Sequence, residues 1–324
     1  MSSAEPVEEE DLHLDATVPE RLAGTRLDAA CAQLFDAYSR SRLKSWIEAG
    51  RVTVNGEAVT RARHPIATGD LLALAAEPEA DFRVLPQDLP IDVVYADKAI
   101  AVVNKPAGLT VHPGAGQADG TLQNGLLFRW PQTAKVPRSG LVHRLDKDTS
   151  GLLVVALTLP AHTRLVAMLA AREMGREYDA VVHGSFISGG TVDAPIGRHP
   201  RERVRMAVVE PERGRPAVTH YRVHERFEHH THLRVRLETG RTHQIRVHLA
   251  HLGRPIVGDT VYGGDRLQGR GMPPRLRAAL KAFPRQALHA RELALAHPVS
   301  DKSMSWTAEP PADMQQLLDE LRRE

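Results

Sequence analysis

The sequence lacks several features that would place it in other classes of protein. It has a single cysteine, Cys31, so an internal disulfide and a zinc cluster built from thiolates are both excluded. No apolar stretch approaches the roughly 18 residues that a membrane-spanning helix needs, and no signal peptide opens the chain. We therefore expect a protein of the cytoplasm that has no membrane partner.

The composition is that of an ordinary globular protein, but the charge is unevenly placed. A length of 324 residues predicts about two domains. Residues 1–16 are rich in acidic side chains and predict a disordered tail. The basic residues are mainly arginine, and they cluster. Because a guanidinium can grip a phosphate with two hydrogen bonds and can stack on a base, the clusters favour a nucleic-acid partner. A solvated surface is the simpler interpretation of any single arginine.

Residues 17–76 predict a small domain made of two short helices and a hairpin. Apolar residues on helical spacing predict one helix over residues 28–36, and Ser39 is typical of the N-cap of a second helix. Residues 51–54 alternate as a strand, and Asn55–Gly56 is typical of a two-residue hairpin turn. The polar face of the second helix carries three cations that we expect to bind RNA, namely Arg40, Arg42 and Lys44.

Three segments of this domain carry a resemblance to a known RNA-binding domain. Residues 26–28, 39–44 and 50–56 resemble the domain first seen in a small-subunit ribosomal protein, which recurs in rRNA-modifying enzymes. The resemblance implies that this domain binds RNA, and a small basic domain that binds protein is the alternative. Residues 77–90 follow, and their three prolines and mixed charge predict a linker.

Residues 91–324 predict a second and larger domain. Many alternating strands with few long helices favour an α+β fold with a largely antiparallel or mixed sheet. The predicted strands are residues 91–95, 100–103, 152–157, 176–184, 218–227 and 233–237, and the predicted helices are residues 121–128 and 160–172.

A polar loop at residues 143–151 precedes one of these buried strands. A polar loop held by a strand end is a usual place for function. We interpret Asp146 as a catalytic carboxylate, although two other groups in the loop compete with it. Asp148 could complete an acid/base pair, but it is also typical of a loop residue that hydrogen-bonds its own backbone. Ser150 could be a nucleophile, but it lacks the preceding glycine of a nucleophile elbow.

Two further segments are rich in basic side chains. Residues 198–215 contain six arginines, a density that repels itself unless it faces an anion. We interpret this segment as a basic hairpin whose arginines, Arg203 and Arg205 among them, contact the RNA backbone; a disordered basic loop is the alternative. Residues 238–249 turn from a strand into a short helix with several histidines. Their spacing differs from that of a zinc helix with two histidines and a carboxylate, so we expect no metal site.

Six segments together resemble the RluA family of pseudouridine synthases. They are residues 104–108, 143–151, 176–178, 239–248, 288–290 and 296–298. With the RNA-binding domain in front, the resemblance covers nearly the whole chain from residue 17. It implies a catalytic domain over residues 91–324 and an isomerase that converts specific uridines of 23S (large-subunit) rRNA to pseudouridine. The implied partner is 23S rRNA or the large ribosomal subunit, and we expect a monomer.

The implied reaction defines what the site must do. The N1–C1′ bond of uridine breaks, the uracil turns, and C5 joins C1′; a nearby carboxylate can stabilise or trap the developing charge at C1′. No redox or phosphate chemistry occurs, so we expect no cofactor and no metal. The uracil must leave its stack, and a flipped base is usually held against an aromatic ring.

The resemblance also implies a role for each matching residue. Asp146 acts on the ribose as nucleophile or base, and Arg246 pairs with it and keeps it ionised. Tyr178 stacks on the uracil, and Arg144 fills the gap that the flipped nucleotide leaves. Arg241 is a second candidate for the Asp146 pair and otherwise contacts RNA.

Two other functions remain as alternatives. A ribosome-assembly factor could hold RNA without chemistry, but such a protein would be free to lose one of Asp146, Tyr178 and Arg246, and all three are present. A hydrolase that uses histidine and serine would need a complete nucleophile motif, which the sequence lacks.

Overall fold

The structure is a computed structural model. It describes residues 12–35, 38, 40–76, 84–114, 117–202, 205–264 and 272–323. Ser39 and Arg203, both named in the sequence analysis, lie outside the described residues, as do residues 1–11 of the predicted tail and 77–83 of the predicted linker. The described residues form two compact units. Within the ranges just given, the first unit holds residues 12–76 and 134–137, and the second holds residues 84–133 and 138–323. No helix in the described ranges is both long and apolar enough to cross a membrane.

The first unit is an antiparallel sheet with two helices. Its strands are β1 (Leu12–Thr17), β2 (Val52–Val54), β3 (Glu57–Ala58) and β4 (Leu71–Ala76), in the order β1-β4-β2-β3. Its helices are α1 (Leu27–Leu34) and α2 (Arg40–Glu48). Asn55 and Gly56 join β2 to β3 with φ values of 52° and 87°, the positive angles that a tight hairpin turn requires. The predicted pair of helices and the hairpin are confirmed.

The predicted tail is wrong for residues 12–16, because they belong to β1. The whole of β1 pairs with β4, from Leu12 opposite Ala76 to Thr17 opposite Leu71. Within it Leu14 is half-buried and Asp15 is exposed, as a strand with one face on a core requires. The acidic composition of the preceding residues hid this short alternation.

The second unit is built on one large sheet. Among the described residues the sheet has nine strands: β5 (Asp92–Ala96), β6 (Ile100–Lys105), β7 (Ser150–Ala156), β8 (Gly175–His183), β9 (Gly190–Asp193), β12 (Val218–Arg226), β13 (His230–Leu237), β14 (Leu288–Ala296) and β15 (Ser303–Thr307). The order is β5-β6-β7-β14-β8-β13-β12-β9, with β15 on β14. Only the β7–β14 pairing is parallel among those described. The predicted α+β fold with a largely antiparallel, mixed sheet is confirmed.

The remaining elements surround this sheet. The helices are α3 (Leu122–Arg129), α4 (Leu159–Ala170), α5 (Gln244–His251), α6 (Pro274–Ala282) and α7 (Ala312–Leu321). A separate hairpin consists of β10 (Ile196–Arg198) and β11 (Met206–Val208), so the described part of the arginine-rich segment contains the predicted hairpin. Thr121 caps α3 through the amide of Asn124, and Thr158 caps α4 in the same way through Ala161, which fixes where both predicted helices begin.

Residues 84–90 are not a free linker. The amide of Gln87 donates to Asn124 O at 3.0 Å, and Asn124 Nδ2 donates to Leu85 O at 2.8 Å. Proline favours an extended backbone, and an extended segment is equally able to lie along the start of α3 and bond to it. The predicted linker is therefore too long at its C-terminal end.

The central strands carry the site. Every residue of β7 is buried, and β8 is buried along nearly all of its length. The loop of residues 143–149 leads directly into β7, Tyr178 lies on β8, and α5 follows the turn after β13. Strands that are buried on both faces are held rigidly, so side chains at their ends are held in fixed positions.

Candidate active site

The centre of the site is an ion pair between Asp146 and Arg246. Arg246 Nη1 donates to Asp146 Oδ2 at 3.0 Å. Arg246 is almost wholly buried, whereas the Asp146 side chain keeps 16% of its surface exposed. Asp146 O also accepts from the amide of Thr149 at 3.1 Å, which closes the loop into a turn just before β7. A polar loop and a helix 100 residues further along the chain therefore meet at one carboxylate.

The other edge of Arg246 is held by Asp259. Arg246 Nε and Nη2 donate to its two carboxylate oxygens at 2.7 and 2.9 Å. The Asp259 side chain is fully buried and also accepts from the amides of Val261 and Tyr262. Burial opposes the charge on Arg246, but the two carboxylates prevail and raise its pKa above the ordinary value. The guanidinium is thus a fixed cation with only one nitrogen directed at Asp146.

Arg241 does not form this pair. Its Nε donates to Pro216 O at 3.1 Å, and its amide donates to Gln244 Oε1 at 2.9 Å. It lies at the turn before α5, while Arg246 lies inside that helix. The choice between the two arginines, which the sequence left open, is settled by this geometry in favour of Arg246.

Tyr178 lies close to the same carboxylate. It is buried on β8, opposite Val235 on one side and Ala290 on the other. Burial is the main reason that the pKa of Tyr178 is raised; Arg176 opposes the rise, and the carboxylate of Asp146 adds to it. Within the described structure no side chain hydrogen-bonds the hydroxyl group of Tyr178. Tyr178 is 5% exposed, and its burial on β8 holds the ring in a fixed position near Asp146.

The two groups that competed with Asp146 both have protein partners. Ser150 Oγ lies 2.9 Å from His289 Nδ1, and His289 Nε2 lies 3.0 Å from Ala308 O. Because only an N–H can bond that carbonyl, Nδ1 is the acceptor of the serine hydroxyl, and both side chains are buried. Asp148 does not make the predicted bond from its side chain to the loop backbone in the residues described. Instead its carbonyl accepts from Arg285 Nη1 at 3.2 Å.

Lys105 stabilises the loop that carries Asp146. It is buried, and its Nζ donates at 2.8 Å to the carbonyls of Pro106, Leu109 and Lys147. Burial lowers the pKa of Lys105 to about 7, with Asp148 and Asp146 acting in the opposite direction. Three carbonyls accept all three protons of the ammonium group, so the residue ties the end of β6 to the turn that presents Asp146.

The second oxygen of Asp146 faces His243. His243 Nε2 lies 3.9 Å from Asp146 Oδ1, and His243 Nδ1 lies 2.9 Å from Tyr262 Oη. His243 has a φ of 57°, the left-handed conformation, at the residue before α5. Burial lowers the pKa of His243, although Asp146 raises it. His243 was not among the residues expected to act in the site.

The cations that were expected to contact RNA lie around the site or in the first unit. Arg144 is exposed, next to Asp146 in the loop. Arg205 donates to Glu202 at 3.0 Å, and its guanidinium lies 5.3 Å from the ring centre of Tyr262.

In the first unit the three cations of α2 have protein partners. Arg40 donates to Asp28 at 2.9 Å, Arg42 lies 5.8 Å from the ring of Trp46, and Lys44 lies 3.5 Å from Glu48. All three contacts are with residues of the same unit. Contacts with RNA remain predictions for all of these residues.

Asp259 and Tyr262 were missed because no motif marks them, and His243 was missed because its place in the 239–248 segment does not reveal its contacts with Asp146 and Tyr262. Residues 258–264 carry three glycines around Asp259 and Tyr262, and that was the available signal. Gly258 has a φ of 76°, and a Cβ on Gly264 would lie 1.6 Å from Ile256 O, so the backbone turns too tightly for other residues. Among the described residues no group of three or more possible metal ligands comes together.

Comparisons with known proteins agree with this geometry. A family model described as RNA pseudouridylate synthase matches residues 99–251, and a model of the S4 domain matches residues 25–72. The chain is 56% identical over 309 residues to ribosomal large subunit pseudouridine synthase D of Pseudomonas aeruginosa, covering 95% of this chain and 96% of that protein. It is 52% identical over 313 residues to the protein of the same name from Yersinia pestis, covering 97% and 96%.

Solved structures show the same relationship. Human RNA pseudouridylate synthase domain containing 4 superposes with a TM-score of 0.55 at 26% identity, covering 71% of this chain and 93% of that one. Human RNA pseudouridylate synthase domain containing 1 gives a TM-score of 0.53 at 26% identity, covering 74% and 97%. The resemblance found in the sequence is confirmed, and the chain belongs to the pseudouridine synthase family.

Proposed function

We propose that this protein converts uridines of 23S, large-subunit, rRNA to pseudouridine, with Asp146 as the catalytic carboxylate. The observation that carries the proposal is the 3.0 Å pair between Asp146 and the buried Arg246. The substrate class comes from the relatives, which are named ribosomal large subunit pseudouridine synthase D and match over nearly their whole length.

The chemistry assigned to Asp146 takes place at the ribose. Arg246 engages Oδ2, whereas Oδ1 has no hydrogen bond among the described residues and lies 3.9 Å from His243 Nε2. In one form of the reaction Oδ1 bonds to C1′ as the N1–C1′ bond breaks; in the other it removes a ribose proton. In the first form C5 bonds to C1′ and displaces Oδ1; in the second form C5 bonds to C1′ and the ribose proton is returned. In both forms C5 then loses its proton and N1 gains one, so the product is an isomer of the uridine. The balance requires no oxidant, reductant or cofactor.

The surrounding residues would hold the uridine and the charge. Arg246 would keep Asp146 ionised and oriented. Tyr178 would stack on the uracil, and its free hydroxyl is well placed to assist proton removal from C5. Arg144, which is exposed beside Asp146, would fill the space left in the RNA when the nucleotide flips out.

The basic residues further away would bind the RNA backbone. Arg241 and Arg205 lie near the site, and the cations of α2 would act in the first unit. Such contacts give affinity that falls steeply with salt. We further propose that the enzyme acts as a cytoplasmic monomer without a bound metal.

The test is an Asp146→Asn variant in cells that lack the endogenous activity. Primer extension on carbodiimide-treated rRNA should show no pseudouridine at the sites that the wild-type protein modifies, a reduction of at least about a thousandfold. RNA binding measured by filter retention should stay within about threefold, because the change removes charge from one buried carboxylate only.

Asp148→Asn is the matched control, since it makes the same change two residues away. It should support modification at the wild-type sites. Normal modification by Asp146→Asn would refute the role of Asp146. Wild-type protein that binds rRNA but modifies no uridine would favour the alternative of a non-catalytic assembly factor.

A further inference from the structure

Tyr262 connects the site to the β10–β11 hairpin. Its hydroxyl accepts from the amide of Met206 in β11 at 3.1 Å and lies 2.9 Å from His243 Nδ1. Its ring centre lies 5.1 Å from the guanidinium carbon of Arg246 and 5.3 Å from that of Arg205. Only 9% of the residue is exposed. One buried side chain therefore contacts two residues of the site and two of the hairpin.

The hydrogen bonds of Tyr262 assign the proton on His243. The Met206 amide can only donate, so it occupies Tyr262 Oη as an acceptor. His243 Nδ1 is the one acceptor that this hydroxyl meets among the described residues, so we assign its single proton to the bond with His243 Nδ1. A neutral imidazole that accepts at Nδ1 carries its proton on Nε2, which is the nitrogen 3.9 Å from Asp146 Oδ1. Tyr262 thus turns an N–H of His243 toward the oxygen that Arg246 leaves open.

The Met206 amide is available for this bond because of the strand register. His199 N donates to Arg205 O at 2.9 Å and Val209 N donates to Pro195 O at 3.0 Å. In an antiparallel ladder such bonded pairs alternate with pairs that are not bonded, so Met206, opposite Arg198, directs its N–H away from β10. The hydrogen bonds between β10 and β11 therefore remain intact while the Met206 amide donates to Tyr262.

We propose that Tyr262 is a positioning residue that, through His243, fixes the open oxygen of Asp146 and makes that geometry depend on the β10–β11 hairpin. The proposal rests on the proposed function of Asp146. The hairpin carries arginines predicted to meet RNA, so contact with RNA would set the Met206 amide and, through Tyr262, the orientation of His243. A distance of 3.9 Å is too long for a hydrogen bond and short enough that a small shift of His243 would make one.

The first experiment is steady-state kinetics of Tyr262→Phe on an rRNA substrate. Phenylalanine keeps the ring and its contacts with both guanidinium groups and removes only the hydroxyl. We expect kcat to fall about tenfold while KM stays within about twofold, because binding groups are untouched and the carboxylate is less well oriented. Tyr221→Phe is the control: Tyr221 packs on Phe186 elsewhere in the unit and should keep wild-type kcat.

The second experiment tests the link to the hairpin. Met206→Pro removes the one amide that reaches Tyr262 and leaves the ladder with β10 intact, since that N–H is not part of it. Val208→Pro is the matched control, because Val208 lies opposite Ile196 in the other pair that lacks ladder bonds. Met206→Pro should lower kcat by as much as Tyr262→Phe does. The double variant with both changes should have a kcat no lower than either single variant. Val208→Pro should retain the wild-type kcat.

The third experiment asks whether His243 acts by donating toward Asp146. His243→Gln places an amide N–H near the position of Nε2, whereas His243→Leu matches the volume with no donor. Glutamine should retain more kcat than leucine by about tenfold, with melting temperatures alike; a purely structural role would not separate them.

Any one of three results would overturn the proposal. These are a wild-type kcat in Tyr262→Phe, equal effects of Met206→Pro and Val208→Pro on kcat, and equal effects of His243→Gln and His243→Leu on kcat. Failure of the proposed function looks different, since the wild-type protein itself would then form no pseudouridine.

Discussion

Asp259→Asn is the most informative single change outside the reacting groups. Asp259 makes two hydrogen bonds, of 2.7 and 2.9 Å, to the edge of Arg246 opposite Asp146. Asparagine has the same shape, but it has no charge and one of its oxygens becomes an NH₂ group. That group would face an N–H of Arg246, so one of the two bonds is lost and the guanidinium is held less firmly. Asp146 itself is unchanged.

The expected magnitude follows from the burial of the pair. The side chain of Asp259 is fully buried and that of Arg246 is 6% exposed. Breaking a buried ion pair by removing one charge costs about 3–5 kcal/mol. For a unit of this size each kcal/mol lowers the melting temperature by about 2–4 °C, so a fall of roughly 6–20 °C is expected. If about 3 kcal/mol of the loss also appears in the transition state, kcat falls by about a hundredfold.

The assay pairs thermal unfolding with pseudouridine formation on rRNA at a temperature where the variant is folded. Glu225→Gln serves as the control. Glu225 accepts from Arg322 Nε and Nη2 at 3.1 and 3.0 Å, but both side chains are partly exposed, and the pair joins β12 to the end of α7 rather than to any residue that holds Asp146. It should lose less stability and keep its kcat. A melting temperature within 2 °C of the wild type, or a kcat loss as large in the control, would refute the reasoning.

Two other predictions concern buried basic groups. Lys105→Met should lower the free energy of unfolding by at least about 3 kcal/mol and reduce kcat. The reason is that three carbonyls lose their donor and the loop that carries Asp146 loses its bond to Lys105. Urea unfolding of this variant and of an exposed control, Lys147→Met, checks the prediction. Acid should also destabilise the fold: burial lowers the pKa of His162 to about 4 and that of His230 to about 3. Because the unfolded chain takes up these protons near pH 6.5 and the folded chain does not, stability falls as pH drops from about 6.5 toward 4. At pH 5.0 the loss should be about 2 kcal/mol for each group, and a His162→Leu variant whose urea midpoint shifts as much as the wild type between pH 7.5 and 5.0 would contradict it.

Much of the fold could be predicted because local chemistry and tertiary structure agree. The apolar run after residue 151 is a strand buried at every position, and the helices predicted over residues 121–128 and 160–172 are present as α3 and α4. The predictions were wrong where they relied on residue composition rather than on the spacing of apolar residues. An acidic context concealed β1, and prolines that suit a linker also suit an extended segment bonded to α3.

The site was only partly predictable, because motifs mark residues and not their partners. The loop around Asp146 is distinctive, but Asp259 lies 13 residues beyond Arg246 in a segment whose glycines serve the backbone. Its importance comes from burial and from the two oxygens it offers to one guanidinium, neither of which a sequence displays. A buried carboxylate needs compensation, and only the structure shows that Arg246 provides it.

The distinction between Arg241 and Arg246 shows what the helix contributes. Both follow β13 within a few residues, and either could reach a carboxylate by chain length alone. His243 takes a left-handed conformation that turns the chain, and α5 starts at the next residue. Arg241 lies on the turn and donates to Pro216 O. Arg246 lies in the first turn of the helix and is buried, and its charge there is stabilised by the carboxylate of Asp259. The position of α5 therefore determines which arginine pairs with Asp146. The same turn places His243 Nε2 3.9 Å from the other carboxylate oxygen of Asp146.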